Sequence, residues 1–159
     1  MQKILLIDNV RSAHNVGSFF RTADAAGVER ILLCGYTPSP IDRFGRVQKE
    51  IEKTSLGASR SVPYEQLPDE AAIRSRIDAL KQGGFTIAAI EQTPNAQAIS
   101  TFEVPDKVAY ILGNEIDGVS QTLLAQADII LEIPMLGEKE SLNVSVACGI
   151  ALFLDLVRS

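Results

Sequence analysis

The chain has 159 residues, of which 46% are hydrophobic and 22% are charged, so one globular domain with a real core is expected. It has no apolar run of about eighteen residues and no signal-peptide pattern, which argues against a membrane span or a secretory leader. The net charge of −5 argues against a simple polyanion-binding module. However, residues 1–60 carry nine Lys and Arg against six Asp and Glu, and the remainder carries six against fourteen. The basic excess is either a solvated face or a local site for nucleic acid.

The two cysteines, Cys34 and Cys148, lie in apolar surroundings of the sequence. The chain has a single histidine, so neither cysteine has partners at the spacing of a metal site. We therefore expect buried, reduced thiols in a cytoplasmic protein without a structural metal.

Strand and helix patterns alternate from the first residues to the last. Apolar runs of strand length cover residues 3–8, 30–33, 85–90, 108–112 and 129–133. Helices are predicted over residues 15–26, 48–54, 69–82, 120–126 and 144–157. Continuous apolar strands in β-α-β order are typical of a parallel sheet covered on both faces. The sequence therefore predicts a Rossmann-like α/β fold.

The last predicted helix is apolar nearly all round, which predicts burial on more than one of its faces. Either Ser141 or Asn143 can cap its first turn, because both side chains accept hydrogen bonds from free backbone N–H groups. Taken alone, these two residues are most simply interpreted as helix caps.

Three loops follow predicted strands, at the edge where parallel sheets bind ligands. The first, residues 8–17, leads into a helix with Asn15 and Arg21; the ordinary interpretation is an amphipathic helix with a surface arginine. The second places Glu115 between Gly113 and Gly118, either as a solvated acid in a plain turn or as an acid that orients a ligand. The third, residues 134–143, suits a small, partly apolar ligand held mainly by backbone groups.

Three segments resemble, in order and spacing, the motifs of the SpoU branch of the SPOUT RNA methyltransferases. They read NVRSAHNVGSFFRTADAAG, YILGNEIDGVS and LEIPMLGEKESLNVSVACGIALF. The resemblance extends from Ile7 to Leu154, and KTSLGASRSVP in the middle also resembles a family segment. Three motifs in the right order are far more specific than any one of them.

The resemblance implies an α/β fold with a C-terminal deep trefoil knot, which is a rare exception among proteins. It also implies a homodimer in which each active site is completed across the interface. S-adenosylmethionine would lie in the knot, held by backbone groups of the loops. The matching cofactor-binding positions are Leu112, Gly113, Ile133, Met135 and Leu142.

The reaction that the resemblance implies is methyl transfer to a ribose 2′-hydroxyl in tRNA or rRNA. Arg21 would be the central catalytic residue, with Asn15, Glu115, Ser141 and Asn143 around it. A guanidinium stays charged at accessible pH, so Arg21 is expected to anchor an RNA phosphate and stabilise the developing alkoxide rather than act as a base. Glu115 is expected to orient Asn15 or Arg21. No metal is required.

Many relatives carry an additional RNA-binding domain, whereas residues 1–159 are expected to form a single catalytic domain. Target selection would then rest on basic side chains of that domain. These are Arg11, Arg43, Arg46, Lys49, Lys53 and Arg60. A single domain of this kind suits a small, defined substrate such as a tRNA stem-loop, so tRNA is expected in preference to rRNA.

Other interpretations of the sequence remain. The chain could be a non-catalytic RNA-binding protein that retains the fold, or it could methylate a base atom. A flavodoxin-like nucleotide-binding protein is less compatible, because the sequence has no phosphate-binding loop.

Overall fold

Residues 1–158 of the computed structural model are described, and they form a seven-stranded parallel sheet. The strands are β1 Gln2–Asp8, β2 Arg30–Cys34, β3 Tyr64–Leu67, β4 Thr86–Ile90, β5 Gln97–Ala98, β6 Lys107–Leu112 and β7 Ile129–Glu132. Their order across the sheet is β3-β2-β1-β6-β4-β7-β5. The helices of the same residues are α1 Ala13–Ala25, α2 Lys49–Ser55, α3 Ala58–Ser61, α4 Glu70–Gln82, α5 Gln121–Leu124 and α6 Val144–Leu152.

The sheet separates two layers of helices, as alternation along the strands requires. In β1, Leu5 and Ile7 face the cluster that includes α1, α2 and α6. Ile4 and Leu6 face the opposite cluster, which includes α4 and α5. Successive side chains of a strand point to opposite faces, so a strand buried on both sides is a continuous apolar run. The predicted α/β architecture is confirmed, and the knot stays a prediction.

Two strands were not predicted from the sequence. β3 has the sequence YEQL, and Leu67 is its only fully buried residue. β5 has only two residues. Both are edge strands, and the pairing of an edge strand depends on a neighbour rather than on an apolar run of its own. Of the strands that were predicted, β7 is less buried than expected, since Leu131 alone is fully buried.

The predicted last helix is too long, and within the single chain it is less buried than expected. α6 ends at Leu152, not at residue 157. The Leu152 carbonyl accepts a hydrogen bond from the buried Lys3 Nζ (3.1 Å), and Lys3 also pairs with Asp155 (2.9 Å). These contacts hold the chain in turns beyond the helix. α6 is buried on one face only, because Val146 remains 50% exposed and Ile150 37%.

The packing of α1 against α2 explains Gly17. A Cβ at this position would lie 1.7 Å from Thr54 Oγ1 and 2.8 Å from the Ile51 carbonyl oxygen. The glycine therefore permits a close helix contact. None of the helices within residues 1–158 has the length and apolar character that a membrane crossing requires.

The neighbouring positions of β1, β6, β4 and β7 bring distant loops together. Ile7 of β1 lies opposite Leu112 of β6, and Ile90 of β4 lies opposite Leu131 of β7. The segments after these four strands therefore emerge at the same edge of the sheet, where parallel α/β folds bind ligands.

Candidate active site

A cavity of about 440 Å³ lies at this carboxyl edge, between the segments that follow β4, β6 and β7. Every position that the sequence marked for the cofactor lines it: Leu112, Gly113, Ile133, Met135 and Leu142. Glu115 and Ser141 also belong to its wall. The structure thus brings the second and third predicted loops together around one space.

The turn after β6 forms a wall with a defined shape. Asn114 and Gly118 exchange two backbone hydrogen bonds of 3.0 and 2.9 Å. The Asn114 Oδ1 accepts from the N–H groups of Ile116 and Asp117, at 2.8 and 3.1 Å. A Cβ at Gly113 would lie 2.2 Å from the Gly118 carbonyl carbon, so the turn closes only over a glycine.

Glu91, at the end of β4, fixes the same wall and was not predicted from the sequence. Its Oε2 accepts a hydrogen bond from the Val119 N–H (2.8 Å), and its Oε1 accepts from the Gln92 N–H (2.8 Å). Gly118 has a φ of 69°, and a Cβ there would lie 2.1 Å from Glu91 Oε2. The carboxylate therefore occupies the space beside a left-handed glycine.

A second carboxylate connects the wall to α1. Asn15 Nδ2 donates a hydrogen bond to Glu115 Oε1 over 2.6 Å. Asn15 is 7% exposed and lies in the first turn of α1, which Ser12 caps through the Asn15 N–H (3.1 Å). The sequence predicted that Glu115 orients Asn15 or Arg21, and the contact is with Asn15. Glu115 takes one of the two N–H donors of the Asn15 amide, and the Asn15 Oδ1 is left as an acceptor for a further partner.

Arg21 is not part of this assembly. It lies on α1 six residues after Asn15, which is about 9 Å along the helix axis. Its side chain is exposed and makes no hydrogen bond or ion pair with any residue of 1–158. Nor does it line the cavity of its own chain. The structure therefore agrees with the ordinary interpretation of Arg21 as a surface arginine within its own chain.

Ser141 and Asn143 differ in position. Asn143 is the N-cap of α6, since its Oδ1 accepts from the Ser145 N–H (2.8 Å) and the Ser145 hydroxyl (2.6 Å). It does not line the cavity. Ser141 lines the cavity, is exposed, and makes no hydrogen bond within the described chain. The capping function therefore belongs to Asn143, and the Ser141 hydroxyl can face a ligand.

The chemical character of the cavity is that of a site for a small, partly apolar molecule. Ile133, Met135, Leu142 and Val144 supply apolar surface. The backbone N–H and C=O groups of Ile133, Met135 and Leu142 form no hydrogen bonds inside residues 1–158. Ile133 and Met135 are half-buried and Leu142 is exposed, so these unpaired groups face the cavity or solvent and are open to a ligand. Over the same residues, no three His, Cys, Asp or Glu side chains form a group that could hold a metal ion.

Comparison with known proteins gives consistent results. The model of the SpoU rRNA Methylase family matches residues 2–153. The 23S rRNA (guanosine-2′-O-)-methyltransferase RlmB of Neisseria meningitidis is 31% identical over 149 residues, which are 94% of this chain and 56% of that protein. The chain thus spans little more than half the length of this relative.

Two solved structures share the fold. The AdoMet-bound rRNA methyltransferase from Sinorhizobium meliloti superposes with a TM-score of 0.83 at 29% identity, over 96% of this chain and 54% of that one. The A. aeolicus TrmH/SpoU tRNA modifying enzyme has a TM-score of 0.80 at 28% identity, over 96% of this chain and 72% of that one.

Proposed function

Because the chain belongs to the SpoU rRNA methylase family, we propose that it is an S-adenosylmethionine-dependent methyltransferase that acts on a ribose 2′-hydroxyl of RNA. One observation carries the proposal above all: the cavity with unpaired backbone groups lies beside the hydrogen-bonded pair of Asn15 and Glu115. Together they supply a place for a cofactor and a polar group next to it. We further propose that residues 1–159 act as one catalytic domain with the C-terminal trefoil knot of the family.

The cavity residues fit S-adenosylmethionine. The apolar side chains of Ile133, Met135 and Leu142 suit the faces of an adenine ring, and their unpaired N–H and C=O groups suit its polar edge. Gly113 leaves room where any other residue would fill the turn. When bound, the cofactor would supply a methyl group from its sulfonium sulfur; transfer would break this C–S bond, form the C–O bond to the ribose oxygen and release the hydroxyl proton to an acceptor.

The side chains of the chain would position the hydroxyl. A hydroxyl is a weak nucleophile that must be oriented and relieved of its proton. Glu115 holds the Asn15 amide so that its oxygen can accept a hydrogen bond from the ribose. Ser141, on the cavity wall, can hold a further polar group of the substrate or the cofactor. Asn143 would contribute indirectly, by fixing the start of α6.

Arg21 is proposed to hold an RNA phosphate and to stabilise the developing alkoxide. An exposed guanidinium without an internal partner is suited to a planar, charged contact of this kind. We expect Arg21→Lys to lower kcat by about 10²–10³-fold, the effect of removing one donor to a developing oxyanion. Near-normal kcat with only a higher KM for RNA would rule out the stabilising function.

The position of Arg21 supports a homodimer with shared sites. α1 packs against α6, and α6 presents Val146 and Ile150 to solvent; Leu142, just before the helix, is exposed beside them. Exposed apolar stripes of this kind are typical of protein interfaces. A second copy docked on α6 would lie next to α1, so Arg21 of one subunit could complete the cavity of the other.

Mixing two inactive variants tests the shared site. Arg21→Ala and Glu115→Ala dimers are unfolded together, refolded and assayed. If the two residues come from different subunits, each mixed dimer has one intact site, and about a quarter of the wild-type activity returns. No recovery, with mixed dimers demonstrated by differential tagging, would place both residues in one subunit.

We propose tRNA before rRNA as the substrate. The basic side chains expected to select the target all lie within residues 11–60. Of these, Lys49 and Lys53 of α2 have no ion pair with any residue described, whereas Arg60 is paired with Glu52. A footprint this small suits a compact stem-loop. The names of the relatives include both rRNA and tRNA enzymes. Such an enzyme would act in the cytoplasm, where these RNAs are.

The deciding experiment is methyl transfer from labelled S-adenosylmethionine to total bacterial RNA, fractionated by size and digested to nucleosides. We expect label in a 2′-O-methylnucleoside from the tRNA fraction. Label in the large RNAs would retain the chemistry and overturn the tRNA preference. Label in a methylated base would contradict the proposal that the ribose 2′-hydroxyl is the methyl acceptor. No label and no cofactor binding would favour a non-catalytic RNA-binding protein.

A further inference from the structure

The chain between β2 and α2 forms a narrow hairpin over residues 41–47, at which Ile41 and Val47 make an antiparallel bridge. The Asp42 N–H donates to the Arg46 carbonyl (2.8 Å), and the Gly45 N–H donates to the Asp42 carbonyl (2.9 Å). Gly45 has a φ of 75°, the left-handed conformation that glycine adopts without strain. The hairpin is therefore a defined turn rather than a loose loop.

The Asp42 side chain stabilises the tip of the hairpin, residues 43–46, by hydrogen bonds. Its Oδ1 accepts from the N–H groups of Phe44 (2.8 Å) and Arg46 (2.9 Å), and its Oδ2 accepts from Arg46 Nε (2.8 Å). The backbone hydrogen bond from Arg46 holds the pKa of Asp42 below its ordinary value of 3.8. The turn therefore keeps this shape at neutral pH.

The tip displays an aromatic ring to solvent. Phe44 is 66% exposed. The guanidinium carbon of Arg43 lies 4.7 Å from the centroid of the ring, and that of Arg46 lies 5.0 Å from it. Cation–π contacts of this length are favourable, and they hold the two guanidinium groups over the ring. A rigid turn whose only purpose was to connect two elements would need none of these three side chains.

The same loop reaches the wall of the cavity. Tyr36, at its beginning, accepts a hydrogen bond through its hydroxyl from Asn114 Nδ2 (3.2 Å). Asn114 directly precedes Glu115 in the wall. The guanidinium carbon of Arg11 lies 5.0 Å from the centroid of the Tyr36 ring. Paired arginine and aromatic groups thus occur at the rim of the candidate site and at the hairpin of the loop that starts there.

We propose that Phe44, Arg43 and Arg46 form a stacking platform for an unpaired base of the RNA substrate. The inference rests on the proposed function and assigns the platform to a nucleotide outside the catalytic cavity. Aromatic rings and guanidinium planes both stack on bases, and the positive charge of Arg43, which has no ion pair within residues 1–158, favours an adjoining phosphate. A base in a duplex has no free face for such a platform, so the substrate region recognised here is a loop or a single-stranded end.

The chain has no tryptophan, which provides a direct test. The Phe44→Trp variant keeps an aromatic ring at the tip and carries a single fluorophore there. The probes are an oligoadenylate of about twelve nucleotides and a fully paired RNA duplex of equal length. We expect the oligoadenylate to quench the tryptophan and the duplex to leave it nearly unchanged. Gln82→Trp, an exposed position at the end of α4, is the matched control and should not be quenched.

Affinity measured by fluorescence anisotropy of a labelled oligoadenylate completes the test. Phe44→Ala should weaken binding roughly tenfold to hundredfold, and Phe44→Trp should retain it. Phe44 contributes little to the core, so melting temperatures should stay at the wild-type value. Equal quenching by duplex, equal quenching of both tryptophan variants, or wild-type affinity for Phe44→Ala would each overturn the proposal. So would a blue shift with phosphatidylglycerol vesicles but no response to RNA, which would mark a membrane contact.

These binding measurements need neither cofactor nor turnover. A platform that binds the oligoadenylate in a protein without methyl transfer would contradict the proposed function alone. Active methyl transfer with a Phe44→Ala variant that has unchanged KM and unchanged oligoadenylate affinity would contradict the platform alone.

Discussion

Replacement of Glu91 by Gln tests whether the cavity wall depends on a residue outside the recognisable motifs. The Glu91 carboxylate receives two backbone N–H groups, from Val119 and Gln92, each at 2.8 Å. A glutamine of the same shape has one oxygen and one NH₂ group, so it can accept from only one side and sets a donor against the other N–H. The substitution therefore removes one hydrogen bond to a charged group while preserving volume.

The magnitude follows from that bond. A hydrogen bond to a charged group contributes about 1.5–3 kcal/mol, and 1.4 kcal/mol corresponds to about a tenfold change in an equilibrium constant. If the wall opens in the free variant, binding must order it again, and the Kd for S-adenosylmethionine rises roughly tenfold to hundredfold. If the wall stays closed, the same penalty lowers the melting temperature, by about 3–12 °C for a chain of this size.

Isothermal titration with S-adenosylmethionine and a thermal melt of the free protein measure both quantities. Glu103→Gln, at an exposed position in the segment before β6 and outside the cavity wall, makes the same charge change and should alter neither. We expect Glu91→Gln to weaken cofactor binding with a smaller effect on melting. Unchanged Kd and unchanged melting would refute the assigned hydrogen bonds. A lower melting temperature with wild-type Kd would show that Glu91 stabilises the fold but does not position the cofactor site.

Three further predictions concern the wall, the end of α6 and the cysteines. Gly113→Ala places a methyl group 2.2 Å from backbone atoms and should weaken cofactor binding at least about tenfold in the same titration. Lys3→Met leaves the partly buried Asp155 carboxylate without its partner and should lower the free energy of urea unfolding by about 1.5–3 kcal/mol. Burial raises the pKa of Cys34 from 9.0 to about 12 and raises that of Cys148 as well. Both thiols should therefore resist Ellman's reagent at pH 8 until urea unfolds the chain. Because the folded pKa values exceed the unfolded ones, stability should fall as the pH rises above 9, and rapid labelling of native protein at pH 8 would contradict this burial.

The sheet could be predicted largely because its central strands carry their own signal. β1 and β6 are continuous apolar runs, and such runs indicate burial on both faces. β3 and β5 carry no such signal, since their partners decide whether they pair. The positions of loop residues depend in the same way on strand order. Asn15 meets Glu115 across 100 residues because β6 enters the sheet beside β1, which local patterns do not reveal.

Site residues next to a recognisable local sequence pattern were predicted, whereas residues whose importance depends on contacts in the folded chain were not. The two glycines around Glu115 mark a tight turn in the sequence, so this loop was identifiable as a candidate site. Glu91 follows an apolar strand and precedes polar residues, which is the pattern of any solvated strand end. Phe44 stands alone among polar and charged neighbours, and its exposure becomes meaningful only when Asp42 is seen to hold the tip. The sequence signal that could have identified it is a single phenylalanine flanked by Arg43 in a short Asp-x-x-Gly turn.

The α6 prediction shows a limit that affects function directly. A helix that is apolar all round predicts burial, but hydrophobicity does not specify whether the covering surface belongs to the same chain or to a second one. In this chain Cys148 faces the core and Val146 faces solvent, although both contribute equally to the apolar pattern. Arg21 poses the same question on the adjacent helix α1, because its charge has no partner in its own chain as described. A homodimer answers both at once: the contact that covers Val146 would bring Arg21 to the neighbouring cavity. Oligomerisation and catalysis should therefore fail together when this surface carries a charge, as in Val146→Glu.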